Sequence, residues 1–140
     1  DDFEIHGTKT ITNLGENANG NLEFEVVVSN GQIDAPNNEY TIHWDATTTR
    51  EWVEGDISNW FIDDVYLIRG SANGVNRNGV TFDAVITTPL KVEVVCPWFT
   101  EGVVVVTPDG GDPRTLDYGL GDCNSVVTVS VNGQTYTITF

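Results

Sequence analysis

The stretch Val126-Val127-Thr128-Val129-Ser130-Val131-Asn132-Gly133-Gln134-Thr135-Tyr136-Thr137-Ile138-Thr139 decides the fold class of this chain. On both sides of Asn132-Gly133, apolar side chains alternate with hydroxyl-bearing or polar ones, the period of a strand with two unlike faces. Asn and Gly tolerate positive φ, which a two-residue type I′ turn requires at both central positions. With Asn132-Gly133 as that turn, Val129 faces Tyr136 and Val127 faces Ile138, all on one side. Register and hydrophobic pattern agree, so the segment predicts an antiparallel hairpin.

The same signature extends outward. Leu22, Phe24, Val26 and Val28 share a face opposite Glu23 and Glu25. Tyr40, Ile42, Trp44 and Ala46 alternate with Thr41, His43 and Asp45, and the pattern places Trp44 toward the core. Val80, Phe82, Ala84 and Ile86 form a third such set, and Leu90, Val92, Val94 and Cys96 a fourth. Val103 to Val106 is apolar on both faces and reads as a central strand. Further Asn-Gly pairs at Asn19-Gly20, Asn30-Gly31, Asn73-Gly74 and Asn78-Gly79 predict further turns. No helical stripe occurs, apart from a turn expected around residues 54–60. The sequence predicts one all-β domain over residues 1–140, an antiparallel β-sandwich of about ten strands, with an up-and-down β-barrel as the alternative. Gly15 to Asn21 and Thr107 to Arg114 read as loops within that domain.

The 140 residues include 21 acidic and 6 basic side chains, a net charge of −15. A binder of nucleic acid neutralises phosphates with Lys and Arg, so this balance excludes that partner, and docking on anionic lipid with it. A hydrophobic content of 39% is too high for a disordered acidic tail. The chain contains no Met, which is expected of a processed segment. No apolar run approaches the roughly 18 residues of a membrane-spanning helix.

Cys96 and Cys123 are the only cysteines, 27 positions apart. A structural zinc site takes paired short spacings, and the two histidines, His6 and His43, are remote in sequence. A redox pair would have only two residues between its cysteines. A structural disulfide is the leading reading, against two buried free thiols, and implies an oxidising compartment.

Other constellations are weaker. His43 and Asp45 share a strand face as an acid/base pair would, but no nucleophile motif accompanies them, and a solvated sheet face accounts for both. Asp63-Asp64 invites comparison with paired glycosidase carboxyls, yet neighbours on a strand point to opposite faces. Asp109, Asp112, Asp117, Asp122 and Asn124 crowd a Gly-rich stretch of the kind that binds calcium, although the spacing is not that of an EF-hand. Asp and Asn are also good turn formers. Trp52, Trp60 and Trp98 lie in less regular segments, where they either stack on sugar rings or fill the core.

Several segments carry a resemblance. They run from Gly7-Thr8-Lys9-Thr10-Ile11-Thr12-Asn13 through Thr49-Arg50-Glu51-Trp52-Val53-Glu54-Gly55, Asp63-Asp64-Val65-Tyr66-Leu67-Ile68, Gly74-Val75-Asn76-Arg77-Asn78-Gly79-Val80 and Ile86-Thr87-Thr88-Pro89-Leu90. Cys96-Pro97-Trp98, Leu116-Asp117-Tyr118-Gly119, Gly121-Asp122-Cys123-Asn124 and Val131-Asn132-Gly133 complete the set. In this order they resemble a group of uncharacterised secreted, often lipid-anchored surface proteins of Bacteroidetes bacteria, departing at Leu120, where a further Asp is expected. The resemblance implies an extracellular or cell-surface address, with Asp1-Asp2 following a lipidated cysteine upstream, and it transfers no activity. The resulting expectation is a non-catalytic structural domain for adhesion or subunit assembly through β-strand pairing or exchange. The candidate edges are Phe3 to Thr12 and Gln134 to Phe140. The rival expectation is a carbohydrate-binding module of polysaccharide uptake or degradation.

Overall fold

The computed structural model describes residues 2–55 and 63–139. Its nine strands are β1 (Glu4–Glu16), β2 (Leu22–Asp34), β3 (Thr41–Glu54), β4 (Val65–Val75), β5 (Thr81–Glu93), β6 (Glu101–Pro108), β7 (Arg114–Leu120), β8 (Val126–Val131) and β9 (Gln134–Thr139). All belong to one sheet in the order β1 to β9, and every neighbouring pair is antiparallel. The all-β antiparallel class is therefore as the sequence predicts, with nine strands among the described residues in place of about ten. The barrel alternative fails. β1 and β9 stand at opposite ends of the sheet and do not pair, so the sheet stays open.

The terminal hairpin has the expected register, with Val129 opposite Tyr136 and Val127 opposite Ile138. Asn132 and Gly133 adopt φ of 53° and 76°, as a type I′ turn needs. Two other Asn-Gly pairs also end hairpins, and they do so identically. Asn17 and Asn76 each begin an Asn-x-Asn-Gly turn, accepting on Oδ1 from the backbone N–H groups two and four residues on. The remaining two pairs are not turns. Asn30-Gly31 forms a bulge within β2, where the Asn30 N–H donates to Asp45 Oδ1 at 2.8 Å. Asn73-Gly74 lies inside β4.

Cross-strand register defines two chemically different faces. Val28, Ala46 and Ala72 form one row, continued by Ala84 and Val106. The neighbouring row contains Gly31, Trp44, Gly74, Phe82 and Pro108. Trp44 is half-buried, and its indole lies over Gly31, where a Cβ would fall 2.6 Å from the ring. The opposite face is rich in Thr, Ser, Asp and Glu. Full burial is confined to few described residues, among them Val65, Ile68, Leu90, Cys96, Thr100 and Val127. The accessible surface of 8903 Å² exceeds by about a quarter the roughly 7,100 Å² of a typical folded monomer of this mass. The sheet therefore leaves much of both faces open to solvent.

The Cys96–Cys123 disulfide forms, with Cα atoms 5.9 Å apart, and joins the β5–β6 connection to the β7–β8 connection. Around it the backbone is tied by Cys96 N–H to the Glu93 carbonyl, Thr100 N–H to that of Lys91, and Gly121 N–H to that of Thr100. No helix among the described residues is long and apolar enough to cross a membrane.

Candidate functional site

The polar face of the β1–β2–β3 corner brings together groups that the sequence keeps apart. β1 pairs with β2 so that Glu4 stands opposite Asp34 and His6 opposite Gln32. β2 pairs with β3 so that Gln32 stands opposite His43 and Asp34 opposite Thr41. Side chains opposite one another share a face, so both histidines, Glu4, Asp34, Gln32 and Thr41 project to the same side. The register that does this depends on two bulges. One near Leu14 shifts β1 by a residue, and the one at Asn30 in β2 shifts the pairing back.

Within this corner Asp34 is the fixed member. Its Oδ1 accepts from Thr41 Oγ1 at 2.8 Å, and Gln32 Nε2 donates to both carboxylate oxygens at 2.9 and 2.8 Å. These bonds, from Thr41 first and then Gln32, hold its carboxyl below the ordinary 3.8, with the nearby His6 and His43 acting in the same direction. His6 Nε2 lies 3.3 Å from Asp34 Oδ2 and 3.5 Å from Glu4 Oε2. Beside them a polar hollow of about 270 Å³ is lined by Asp2, Glu4, Asp34 and the turn from Ala35 to Asn38.

A second polar cluster centres on the buried Glu51. The Glu51 carboxylate accepts from Asn17 Nδ2 (2.8 Å) and Asn21 Nδ2 (2.9 Å) on Oε1, and from Arg69 on Oε2 (2.9 Å). The side-chain amides of Asn21 and Asn17, with Arg69 assisting, pull its pKa from 4.5 to about 2 against the opposing effect of burial. Its partners come from the β1–β2 turn and from β4, so it fastens that turn onto the sheet. This is an architectural device, with its acceptor capacity directed inward.

The residues singled out in the sequence are distributed as follows. Asp109 and Asp112 flank the β6–β7 turn, Asp117 lies within β7, and Asp122 and Asn124 occupy the β7–β8 turn. Seven-residue β7 separates the two turns by roughly 20 Å at the usual strand rise, beyond the span of one calcium shell. Asp112 accepts from Asn132 Nδ2, Asp117 from the Gly119 N–H and Asn124 from the Val126 N–H. Among the described residues, three His, Cys, Asp or Glu ligand atoms converge within 4.8 Å at Glu4, His6 and Asp34, and not in this segment. Asp45 is engaged by the Asn30 N–H, and the Asp64 carbonyl accepts from Val94 N–H.

Trp52 is half-buried and stacks on Tyr66, with ring centroids 5.8 Å apart and planes inclined by 19°, while Arg50 lies over the Tyr66 ring. Trp60, together with most of the turn expected over residues 54–60, lies outside the described residues. Trp98 is 39% exposed and borders an apolar cleft of about 250 Å³ beside the disulfide, shared with Phe99, Tyr118 and Val127. Phe99 meets Tyr118 edge to face at 5.2 Å, and burial pushes the Tyr118 phenol up.

β1 is exposed over nearly its whole length, with Ile5 73%, Ile11 60% and Leu14 53% exposed. All six residues of β9 are exposed, and none carries a charge. No protein-family profile, no curated protein and no solved structure matches this chain.

Proposed function

We propose that this chain is a non-catalytic structural domain of the cell surface or extracellular space, acting in adhesion or assembly by pairing strands at the open edge of its sheet. The observation that carries the reading is β1: thirteen residues at the end of an open sheet, with three exposed aliphatic side chains. An unpaired edge offers a row of N–H and C=O groups to another strand, and natural proteins blunt such edges with charge, Pro or a cover. Besides His6, β1 carries charge at Glu4, Lys9 and Glu16, leaving the stretch from Thr10 to Gly15 uncharged, and it contains no Pro. The disulfide supports an oxidising location.

Strand number bears on how copies join. With nine antiparallel strands, β1 and β9 run in the same direction, so β9 of one copy meets β1 of a translated copy in parallel. Two copies related by a two-fold axis pair β1 with β1 antiparallel, the pairing with the better hydrogen-bond geometry and the longer strand. Sedimentation velocity across a wide concentration range tests the proposal. Reversible dimers in the native chain and monomers in Ile11→Lys support it, whereas a strict monomer at every concentration overturns the assembly reading.

One observation favours a second reading. Trp98 borders an apolar cleft with two further aromatic rings, the chemistry of a sugar-stacking platform. A glycan array probed with the native chain and with Trp98→Ala decides it, and binding to no polysaccharide retires it.

A further inference from the structure

The geometry points to a divalent transition-metal site of the Zn²⁺ class, formed by Glu4 Oε2, His6 Nε2 and Asp34 Oδ2 at the open end of the β1–β2 pair. The three atoms lie within 4.8 Å of one another, and His6 Nε2 is 3.5 Å from Glu4 and 3.3 Å from Asp34. Those separations exceed the usual 2.7–3.2 Å of an N–H···O hydrogen bond. A single ring nitrogen offers one proton or one lone pair, so it cannot serve two carboxylates in line at once. One cation placed between them serves all three.

The spacing admits zinc, and the donor set selects among cations. With zinc bonds to nitrogen and oxygen of about 2.05 Å, the edge of a coordination tetrahedron is about 3.3 Å, close to both separations. Mg²⁺ and Ca²⁺ are hard cations that take oxygen ligands, six to eight of them for Ca²⁺. Imidazole with carboxylate is a borderline donor set suited to Zn²⁺ and its neighbours. Two carboxylates and a neutral imidazole balance a divalent charge.

The surroundings fit this use. Gln32 and Thr41 fix Asp34 and leave one Oδ2 lone pair toward His6. The Glu4 and His6 side chains are 74% and 53% exposed, so they can close on an ion arriving from solvent. The co-ligands of His6 come from register, across a strand pair. The site clamps the part of β1 beyond the Asn30 bulge onto β2, and it stands independently of edge pairing.

Titration calorimetry of the full chain with ZnCl₂ in a non-chelating buffer, with CaCl₂ and MgCl₂ as controls, tests this. One equivalent of Zn²⁺ is expected, with Ca²⁺ and Mg²⁺ much weaker. His6→Ala and Asp34→Asn should weaken binding by about 100-fold, the upper end of what outer-shell losses cost, and Glu4→Gln by a smaller factor. His43→Ala should leave binding unchanged. The ring ¹⁵N shift of His6 Nε2 should move on saturation while that of His43 does not. Absence of saturable Zn²⁺ binding overturns the site, and so does binding retained in His6→Ala or lost in His43→Ala.

Discussion

Replacing Glu51 by Ala tests whether buried polar chemistry, rather than apolar packing alone, holds the β1–β2 turn to the sheet. The residue is 3% exposed, and its carboxylate accepts from Asn17, Asn21 and Arg69. Its pKa of about 2 in the folded chain stands against 4.5 ordinarily, and at 1.36 kcal/mol per unit the difference amounts to about 3 kcal/mol. Because the folded value is depressed, this stability is fully present above about pH 5. It falls as pH drops through 4.5 toward 2, and by pH 3 about 1 kcal/mol remains. Removing one partner of a buried pair typically costs 3–5 kcal/mol. Arg69 is 46% exposed and regains water, which favours the lower end of that range. Urea unfolding of the native chain and Glu51→Ala should therefore differ by about 3 kcal/mol at pH 7 and about 1 kcal/mol at pH 3. A difference that does not change with pH, or one below about 1 kcal/mol at pH 7, would refute the reasoning.

Three other outcomes follow from packing and covalent structure. Reducing Cys96–Cys123 releases a loop closed across 27 positions and should lower stability by about 3 to 4 kcal/mol, read as a fall in urea midpoint with dithiothreitol. Gly133→Ala places a Cβ at φ 76° in the β8–β9 turn and should cost about 1 kcal/mol, measured by thermal unfolding. Gly31→Val puts a side chain into the Trp44 indole, so Trp44 must leave β2; a shift in tryptophan emission together with a lower melting temperature is the expected result.

Legibility differed from one element to the next. The β8–β9 hairpin was readable in full, because a two-residue turn fixes register locally and the alternation of Val127, Val129, Tyr136 and Ile138 agrees with it. Asn30-Gly31 reads the same in sequence and serves a different purpose. The dipeptide permits positive φ without requiring the chain to reverse, and strands paired on both sides of β2 turn it into a bulge. The repeated Asn-x-Asn-Gly at Asn17 and Asn76 was the available sign of two identical turns. From the first of these, the hairpin register already sets Glu4 opposite Asp34. Reading that far requires the bulges near Leu14 and at Asn30 to offset each other. Glu51 gave no local signal, since a Glu in an alternating strand ordinarily points to water.

By itself, the sequence determined the all-β antiparallel class, the final hairpin with its register, the acidic surface and the cysteine pair. Each follows from neighbours close in the chain or from composition. Tertiary structure alone decided that the sheet stays open with β1 and β9 as free edges, that Glu51 is buried among amides, and that Glu4, His6 and Asp34 meet. These depend on which strands pair and in what register. A shift of one residue moves every side chain to the other face, so a ligand set built across two strands exists only once the bulges have fixed the pairing.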